Sequence, residues 1–295
     1  MTLRQAITNA AAELATNPHL SEDAHRDAEL LLLHTLQIPR VTLIAYPDRE
    51  VSPDQHALYQ SAITRRLQLE PIQYITGEQE FYGLRLHVSP AVLIPRPETE
   101  HLVEAVLARL PANQPLKLAD IGTGSGAIAI ALAVHLPLAR ITALDLSTKA
   151  LAVAASNARE HNVAHRIDFL ESDLLAAVGH PTETFDAIVS NPPYIPESDR
   201  LTLHPQVREH EPANALFAGE TGLDIYRRLI PQARSALKPN GLLALEIGHG
   251  QHEPIAHLLA GWNNISFVND LQQIPRVALA RKPNYCNAEP KNLSQ

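Results

Sequence analysis

A chain of 295 residues, 45 % of them hydrophobic, has room for one large domain or for a catalytic domain with a smaller appendage, and nothing in its composition marks disorder. Its formal net charge of −8 argues against a surface built to grip nucleic-acid phosphates. No apolar run approaches the ~18 residues needed to cross a bilayer. Cys286 is the single cysteine, which excludes an intrachain disulfide and a cysteine metal cluster. Met1-Thr2-Leu3-Arg4-Gln5 lacks the basic-then-apolar layout of a signal peptide, so a cytoplasmic enzyme is expected.

Residues 1–70 read as a small helical domain. Leu3, Ile7, Ala10, Ala11 and Leu14 share one face at helical spacing, and a second helix over 22–36 turns Ala28, Leu31 and Leu32 inward. Ser52-Pro53 predicts a third helix start, with Ser as cap and Pro at the first position, and Pro71 ends that helix. Such a bundle is too thin for catalysis alone; it is either a stabilising appendage or a substrate-docking module. Residues 71–95 read as a β-hairpin linker, with Leu84, Leu86 and Val88 alternating with Arg85 and His87 and with Gly77 and Gly83 at turns. From 96 to 285 helices and strands alternate: helices over 98–110, 127–135, 149–161 and 222–237, and strands over 116–121, 140–145, 167–170, 185–190 and 241–247. Alternation of this kind predicts an α/β fold with a parallel sheet whose ligands sit at the carboxyl ends of the strands. Residues 286–295 form a polar tail.

The first sharp motif is Asp120-Ile121-Gly122-Thr123-Gly124-Ser125-Gly126 at a strand-to-helix turn. Spaced glycines let the backbone bend and let a ligand approach without a Cβ in the way. Dinucleotide enzymes use a similar turn, but this spacing is Gly-x-Gly-x-Gly, and Asp120 just before it would repel a pyrophosphate while suiting a cationic amino-acid group. The second strand ends in Asp145, placed to accept from both ribose hydroxyls, and the third leads to Asp173, placed to accept from an adenine amino group. Any one strand-end carboxylate is commonly a helix cap. Three at successive strand ends predict nucleoside binding.

The fourth strand runs into Ser190-Asn191-Pro192-Pro193-Tyr194. Consecutive prolines remove two N–H donors and stiffen the loop, so carbonyls are the polar groups on offer. Asn191 adds a side-chain carbonyl and Tyr194 a flat aromatic face. These groups suit a planar NH₂ that donates two hydrogen bonds. An amide nitrogen is a poor nucleophile because its lone pair is delocalised, so catalysis there is chiefly orientation, with no general base required. Elsewhere in a protein this tetrapeptide is an ordinary rigid loop; its place after the fourth strand makes it specific.

The stretch from about 105 to 280 resembles the class I S-adenosylmethionine-dependent methyltransferases, which implies a Rossmann-like seven-stranded sheet with its last strand antiparallel. By that resemblance Asp120, Gly122 and Gly124 line the methionine side, Asp145 holds the ribose and Asp173 lies near the adenine, with Thr123, Gly126, Leu146 and Asn191 as further cofactor-binding residues. A narrower resemblance rests on Pro71-Ile72-Gln73-Tyr74-Ile75-Thr76-Gly77 with Glu80-Phe81-Tyr82-Gly83, on Val92 through Glu100, on Glu211-Pro212 with Ala215-Leu216-Phe217, on Gly222 through Arg227, and on Leu245-Glu246-Ile247-Gly248. Along nearly its whole length the chain is similar to the release-factor glutamine methyltransferases. This implies transfer of a methyl group from S-adenosyl-L-methionine, leaving S-adenosyl-L-homocysteine, to the side-chain amide of the glutamine in a Gly-Gly-Gln motif. It also implies peptide chain release factors as protein partners. Asn191, Pro192 and Tyr194 carry over as catalytic residues. Phe81, Arg96, Pro97, Thr99 and Pro193 join them as substrate-binding residues, although an Arg96–Glu100 ion pair is a purely structural alternative. Gln273 departs from the family pattern, where glycine commonly stands.

Two rivals keep the nitrogen chemistry, with a ribosomal-protein glutamine or an adenine amino group of DNA or RNA as target. The second would need a basic groove, yet Glu197, Asp199, Glu209 and Glu211 outnumber the cations between Tyr194 and Gly222. A silent cofactor-binding module would have no use for the amide clamp. The expectation is a monomer with no membrane contact, no direct nucleic-acid binding and no metal: His161 and His165 lack partners at zinc spacing.

Overall fold

In the computed structural model, which describes residues 1–178 and 184–284, two capped turns start the N-terminal helices. Helix α1 (Leu3–Leu14) opens on a reciprocal pair in which Thr2 Oγ1 accepts from Gln5 N while Gln5 Oε1 accepts from Thr2 N. Helix α2 (Ala24–Leu36) and the short α3 (Arg40–Ala45) follow. Ser52 and Gln55 repeat the capping box at α4 (Pro53–Leu67), with Pro53 where its missing N–H costs no bond. The stretch from Ile72, read from sequence as β, instead begins with the one-turn helix α5 (Ile72–Thr76). Pro71 caps it, and the Gly77 N–H closes onto the Gln73 carbonyl at 2.8 Å. Helix α3 was not anticipated either; at six residues it is too short to show a period.

The chain divides into two compact units, the first of them Met1–Glu78 with Leu203–His210. Its core joins Leu3, Ile7 and Leu14 of α1 to Ala28, Leu31 and Leu32 of α2 and Tyr59 and Ile63 of α4. Within this core Arg66 donates to Asp27 at 2.7 Å, to the Glu70 carbonyl at 2.9 Å, and to Gln206 at 2.8 Å.

The second unit covers Gln79–Thr202 and Glu211 onward. Strands β1 (Glu78–Phe81) and β2 (Leu84–His87) pair through Tyr82-Gly83, whose φ values of 53° and 72° are those of a tight hairpin turn. Then come α6 (Pro97–Leu107), β3 (Lys117–Ile121), α7 (Ala127–His135), β4 (Arg140–Asp145), α8 (Thr148–Glu160), β5 (Ile167–Glu171) and β6 (Phe185–Ser190). The brief helix α9 (Pro205–His210) belongs to the first unit; α10 (Asp224–Ala236), β7 (Leu237–Glu246), α11 (His252–Leu258), β8 (Asn263–Asn269) and β9 (Pro275–Arg281) complete the second. The seven strands lie in the order β5-β4-β3-β6-β7-β9-β8. β5, β4, β3, β6 and β7 pair in parallel, and β9, the last strand, runs antiparallel to both its neighbours.

Alternate residues of the sheet serve two cores. Leu118, Ile141, Val189 and Leu242 face one layer, with Leu102 and Val106 of α6 and Ile128 and Leu132 of α7. Ala119, Ile121, Leu144 and Leu243 face the other, with Tyr226 and Leu229 of α10. Sequential strands fan out from β3 to both sides, and the crevice at that reversal is where such sheets hold ligands. The register places Ile121 opposite Leu144 on one side and Ser190 on the other, and Asp145 opposite Glu171. Gly122, Asp145, Asn191 and Ser172 therefore emerge together at the carboxyl edge. Among the described residues no helix is long and apolar enough to cross a membrane. The polar tail, Cys286 included, lies outside the described residues.

The turn joining β8 to β9 explains the departure at Gln273. Its φ is 64°, the left-handed region where a side chain is strained. Asp270 compensates by accepting from the backbone N–H groups of Gln272 and Ile274, each at 2.9 Å. Gln273→Gly is expected to raise stability by about 0.5–1 kcal/mol, the strain relieved less the extra freedom of an unfolded glycine. Denaturant unfolding at equilibrium checks this; an unchanged or lower midpoint contradicts it.

Candidate active site

A cavity with about 850 Å³ of empty volume, open to solvent, lies over the carboxyl edge of the sheet in the second unit. Gly122 and Gly124 line it, with φ values of 72° and 55° and nothing within 4 Å of where a Cβ would stand. The third glycine has a different duty. A Cβ on Gly126 would lie 3.1 Å from the Ala154 side chain, so this glycine lets the start of α7 approach α8.

The β4 end organises the glycine turn. The Leu144 carbonyl accepts from Gly122 N at 2.8 Å and Thr123 N at 2.9 Å. Asp145 Oδ2 accepts from Gly124 N at 2.8 Å and its Oδ1 from Ser147 N at 2.9 Å. Each carboxylate oxygen keeps further acceptor capacity toward the cavity, which Asp145 and Leu146 both line. Asp120 stands behind this wall, fully buried. Its Oδ2 accepts from Thr123 Oγ1 at 2.7 Å and Ala129 N at 3.2 Å, while Oδ1 has no hydrogen bond. Burial pushes the Asp120 carboxyl up to about 7; the Asp145 charge adds to this, and the bonds from Thr123 and Ala129 oppose it. Asp173 reaches the cavity rim and also pairs with Arg228 at 2.6 Å.

Asp145 and Asp173 are the charged residues among those lining the cavity. A lining whose charged members among the described residues are Asp145 and the Arg228-paired Asp173, backed by the buried Asp120 with a bare oxygen, fits a cationic nucleoside and opposes a dinucleotide pyrophosphate. The residues present therefore fit the sulfonium-bearing nucleoside that the sequence predicts.

Asn191, Pro192 and Pro193 form another wall of the same cavity, joined by Ala91, Val92 and Leu93 and by Pro212 and Ala215. Asn191 Nδ2 donates to Thr99 Oγ1 at 3.0 Å. Thr99 is buried near the start of α6. Tyr194 is packed among the apolar residues under the loop rather than on the cavity wall, and its hydroxyl donates to Glu246 Oε1 at 3.4 Å. Burial, reinforced by the Glu246 charge, drives the Tyr194 phenol well above its ordinary pKa, so it stays a donor. Burial pushes Glu246 up to about 7, against the nearby Thr99 and Tyr194 hydroxyls and the Arg276 charge. The loop's backbone is held as well: Gln251 Nε2 donates to the Tyr194 carbonyl at 3.0 Å.

The remaining predicted residues lie back from the cavity lining. Phe81 is buried in the core between the sheet and α6. Arg96 makes a very short ion pair with the buried Glu211, whose second oxygen accepts from Ile94 N at 3.2 Å. Glu100, the partner considered from sequence, instead accepts from the Tyr82 backbone N–H at 2.8 Å. Pro97 occupies the first turn of α6. Sequence reasoning assigned no site role to Glu246 or Gln251. Glu246 had one signal, an acidic residue closing an otherwise apolar strand; Gln251 had none, since its role depends on where the chain folds back.

Two stretches of the chain match family models. Residues 5–77 match the family model described as PrmC N-terminal domain, and residues 99–206 match the Methyltransferase small domain. A curated release factor glutamine methyltransferase of Koribacter versatilis is 46 % identical, covering 96 % of this chain and 99 % of its own. Those of Coxiella burnetii and Escherichia coli are each 41 % identical, covering 96 % and 95 % of this chain and 99 % and 97 % of their own. Among solved structures, the hMettl16 catalytic domain in complex with an RNA hairpin gives a TM-score of 0.54 at 15 % identity, over 81 % of this chain and 85 % of that one. A T. thermophilus 16S rRNA methyltransferase in complex with AdoMet and guanosine gives 0.52 at 20 %, over 70 % and 49 %. At these identities the structural likeness is one of fold.

Proposed function

This chain belongs to the release factor glutamine methyltransferase family, and from that premise we infer that Asn191 and the Pro192 carbonyl hold the two N–H groups of a glutamine side-chain amide beside bound S-adenosyl-L-methionine. The observation that carries this reading is a single cavity. Its one side is the Asp145, Gly122 and Gly124 wall suited to a cationic nucleoside, and its other is Asn191-Pro192-Pro193.

When bound, S-adenosyl-L-methionine supplies an electrophilic methyl group. Asp145 would accept from the ribose hydroxyls, the glycine turn would admit the methionine portion, and Asp173 would stand at the adenine. Asn191 and the proline carbonyls fix the amide so that its lone pair faces the methyl, and the gain is one of orientation. The nitrogen forms its bond to the methyl group and gives up one proton to solvent, leaving S-adenosyl-L-homocysteine. The substrate is the glutamine of the Gly-Gly-Gln motif in peptide chain release factors. We place release-factor docking on the helices of residues 1–70, where Val41, Ile44, Tyr46 and Leu58 are all exposed.

The test is methyl transfer to three purified candidates side by side: a release factor, ribosomal proteins, and DNA or RNA. Transfer confined to the release factor is expected. Transfer confined to either of the others overturns the substrate while leaving the nitrogen chemistry in place.

A further inference from the structure

Asn191 and the Pro192 carbonyl can clamp an amide only while the loop that carries them stays still, yet Pro192 and Pro193 have no N–H with which to tie it down. Across those two residues the backbone offers only carbonyls. The first carbonyl past them, that of Tyr194, is held: it accepts from Gln251 Nε2 at 3.0 Å. The same carboxamide has two further partners. Its Nε2 also donates to the Gly222 carbonyl at 3.4 Å, and its Oε1 accepts from the Gly248 N–H at 2.9 Å. A carbonyl must meet a donor and an N–H an acceptor, so these partners fix which way the Gln251 amide faces. The backbone beneath it is fixed as well, at the start of α11. Gln251 N donates to the Gly248 carbonyl at 3.1 Å, and the Gln251 carbonyl accepts from Ile255 N at 3.0 Å.

Two glycines make room for this arrangement. A Cβ on Gly222 would stand 2.2 Å from the Tyr194 carbonyl oxygen and 2.9 Å from Gln251 Nε2. A Cβ on Gly248 would stand 3.0 Å from Gln251 Oε1 and 3.0 Å from the Tyr194 ring. The segments after β6, before α10 and after β7 thus converge on one carboxamide, which stands outside the cavity lining. We propose that Gln251 is a positioning residue for methyl transfer, holding the Tyr194 carbonyl so that Asn191 and the Pro192 carbonyl keep their aim on the substrate amide. The proposal rests on the clamp described above and adds the residue that anchors it.

The test uses the full chain with Gln251→Leu and Gln251→Glu. Gln251→Leu removes both halves of the amide. Gln251→Glu keeps an acceptor for the Gly248 N–H but sets an oxygen against the Tyr194 carbonyl. Three readouts are taken: steady-state methylation of a release factor, cofactor affinity by titration, and the side-chain amide signals of Asn191 in the ¹⁵N spectrum of the free protein, identified by their loss in Asn191→Ala. Both variants should lower kcat roughly 10- to 100-fold, the upper end being the scale of a reactant misplaced by about an ångström. KM for the release factor and cofactor affinity should stay within about threefold of wild type. Gln251→Glu should lose at least as much as Gln251→Leu, and the Asn191 signals should move in both. A wild-type kcat in Gln251→Glu beside a slow Gln251→Leu would make the residue a brace of the turn between β7 and α11 alone, and overturns the proposal. So does a wild-type kcat in both, a loss carried by KM or cofactor affinity instead of kcat, or Asn191 signals that stay in place. A wild-type protein that fails to methylate release factor defeats the substrate reading instead, and the Asn191 signals, which need no substrate, still decide this one.

Discussion

Asn191→Ala should lower kcat by roughly 10³-fold or more while leaving the affinity for S-adenosyl-L-methionine within about threefold. The asymmetry follows from what each wall of the cavity offers. Asn191 is neutral and its Nδ2 is already committed to Thr99 at 3.0 Å, so what it contributes to the reaction is one oxygen. Losing that oxygen frees the substrate nitrogen to rotate, and a reaction that depends on aim loses rate. On the proposed reading, cofactor affinity rests on the carboxylates and the glycine turn, which the substitution leaves alone. Isothermal titration with the cofactor and single-turnover transfer separate the two effects. A variant that transfers at the wild-type rate contradicts the clamp; one that fails to bind cofactor moves Asn191 to the other wall.

Asp145→Ala should do the reverse, weakening cofactor binding by about 100-fold, equivalent to the loss of two modest charge-assisted hydrogen bonds, with a smaller fall in kcat at saturating cofactor. The side chain acts in two ways that point in the same direction. It presents acceptors to the cavity, and it ties down the Gly124 and Ser147 N–H groups at 2.8 and 2.9 Å. Removing it therefore loosens the turn as well as the ligand. An affinity within threefold of wild type would sink the assignment of this strand end to the ribose.

The α/β architecture was legible because parallel strands buried on both faces read as apolar runs with turn residues between them. Ile121, Asp145 and Ser190 each close a strand, and neighbouring registers bring those ends together, so motif order along the chain translated into adjacency in space. What single motifs left open was direction. Asp120 and Asp145 read alike in sequence, each an acid beside a strand end. In the folded chain Asp120 is sealed behind the turn with a bare oxygen, and Asp145 faces the cavity. Arg96 likewise had two readings, and the fold gave it a third: Glu211, 115 residues away, occupies its guanidinium. Tyr194 looked like a platform for the substrate, yet its ring packs under the loop and its hydroxyl meets Glu246. Long-range polar pairs of this kind carry no periodic signal. Glu246 and Gln251 gained their roles only when β7 was laid beside β6 and the following turn folded back.

The central claim is that one cavity aligns a glutamine amide with a methyl donor. It is tested most directly by incubating the protein with a release factor and labelled S-adenosyl-L-methionine and locating the label by tandem mass spectrometry. The account predicts a methyl on the side-chain nitrogen of the Gly-Gly-Gln glutamine, absent when Asn191→Ala replaces the wild type. Label on any other residue, or unchanged label with Asn191→Ala, would contradict it.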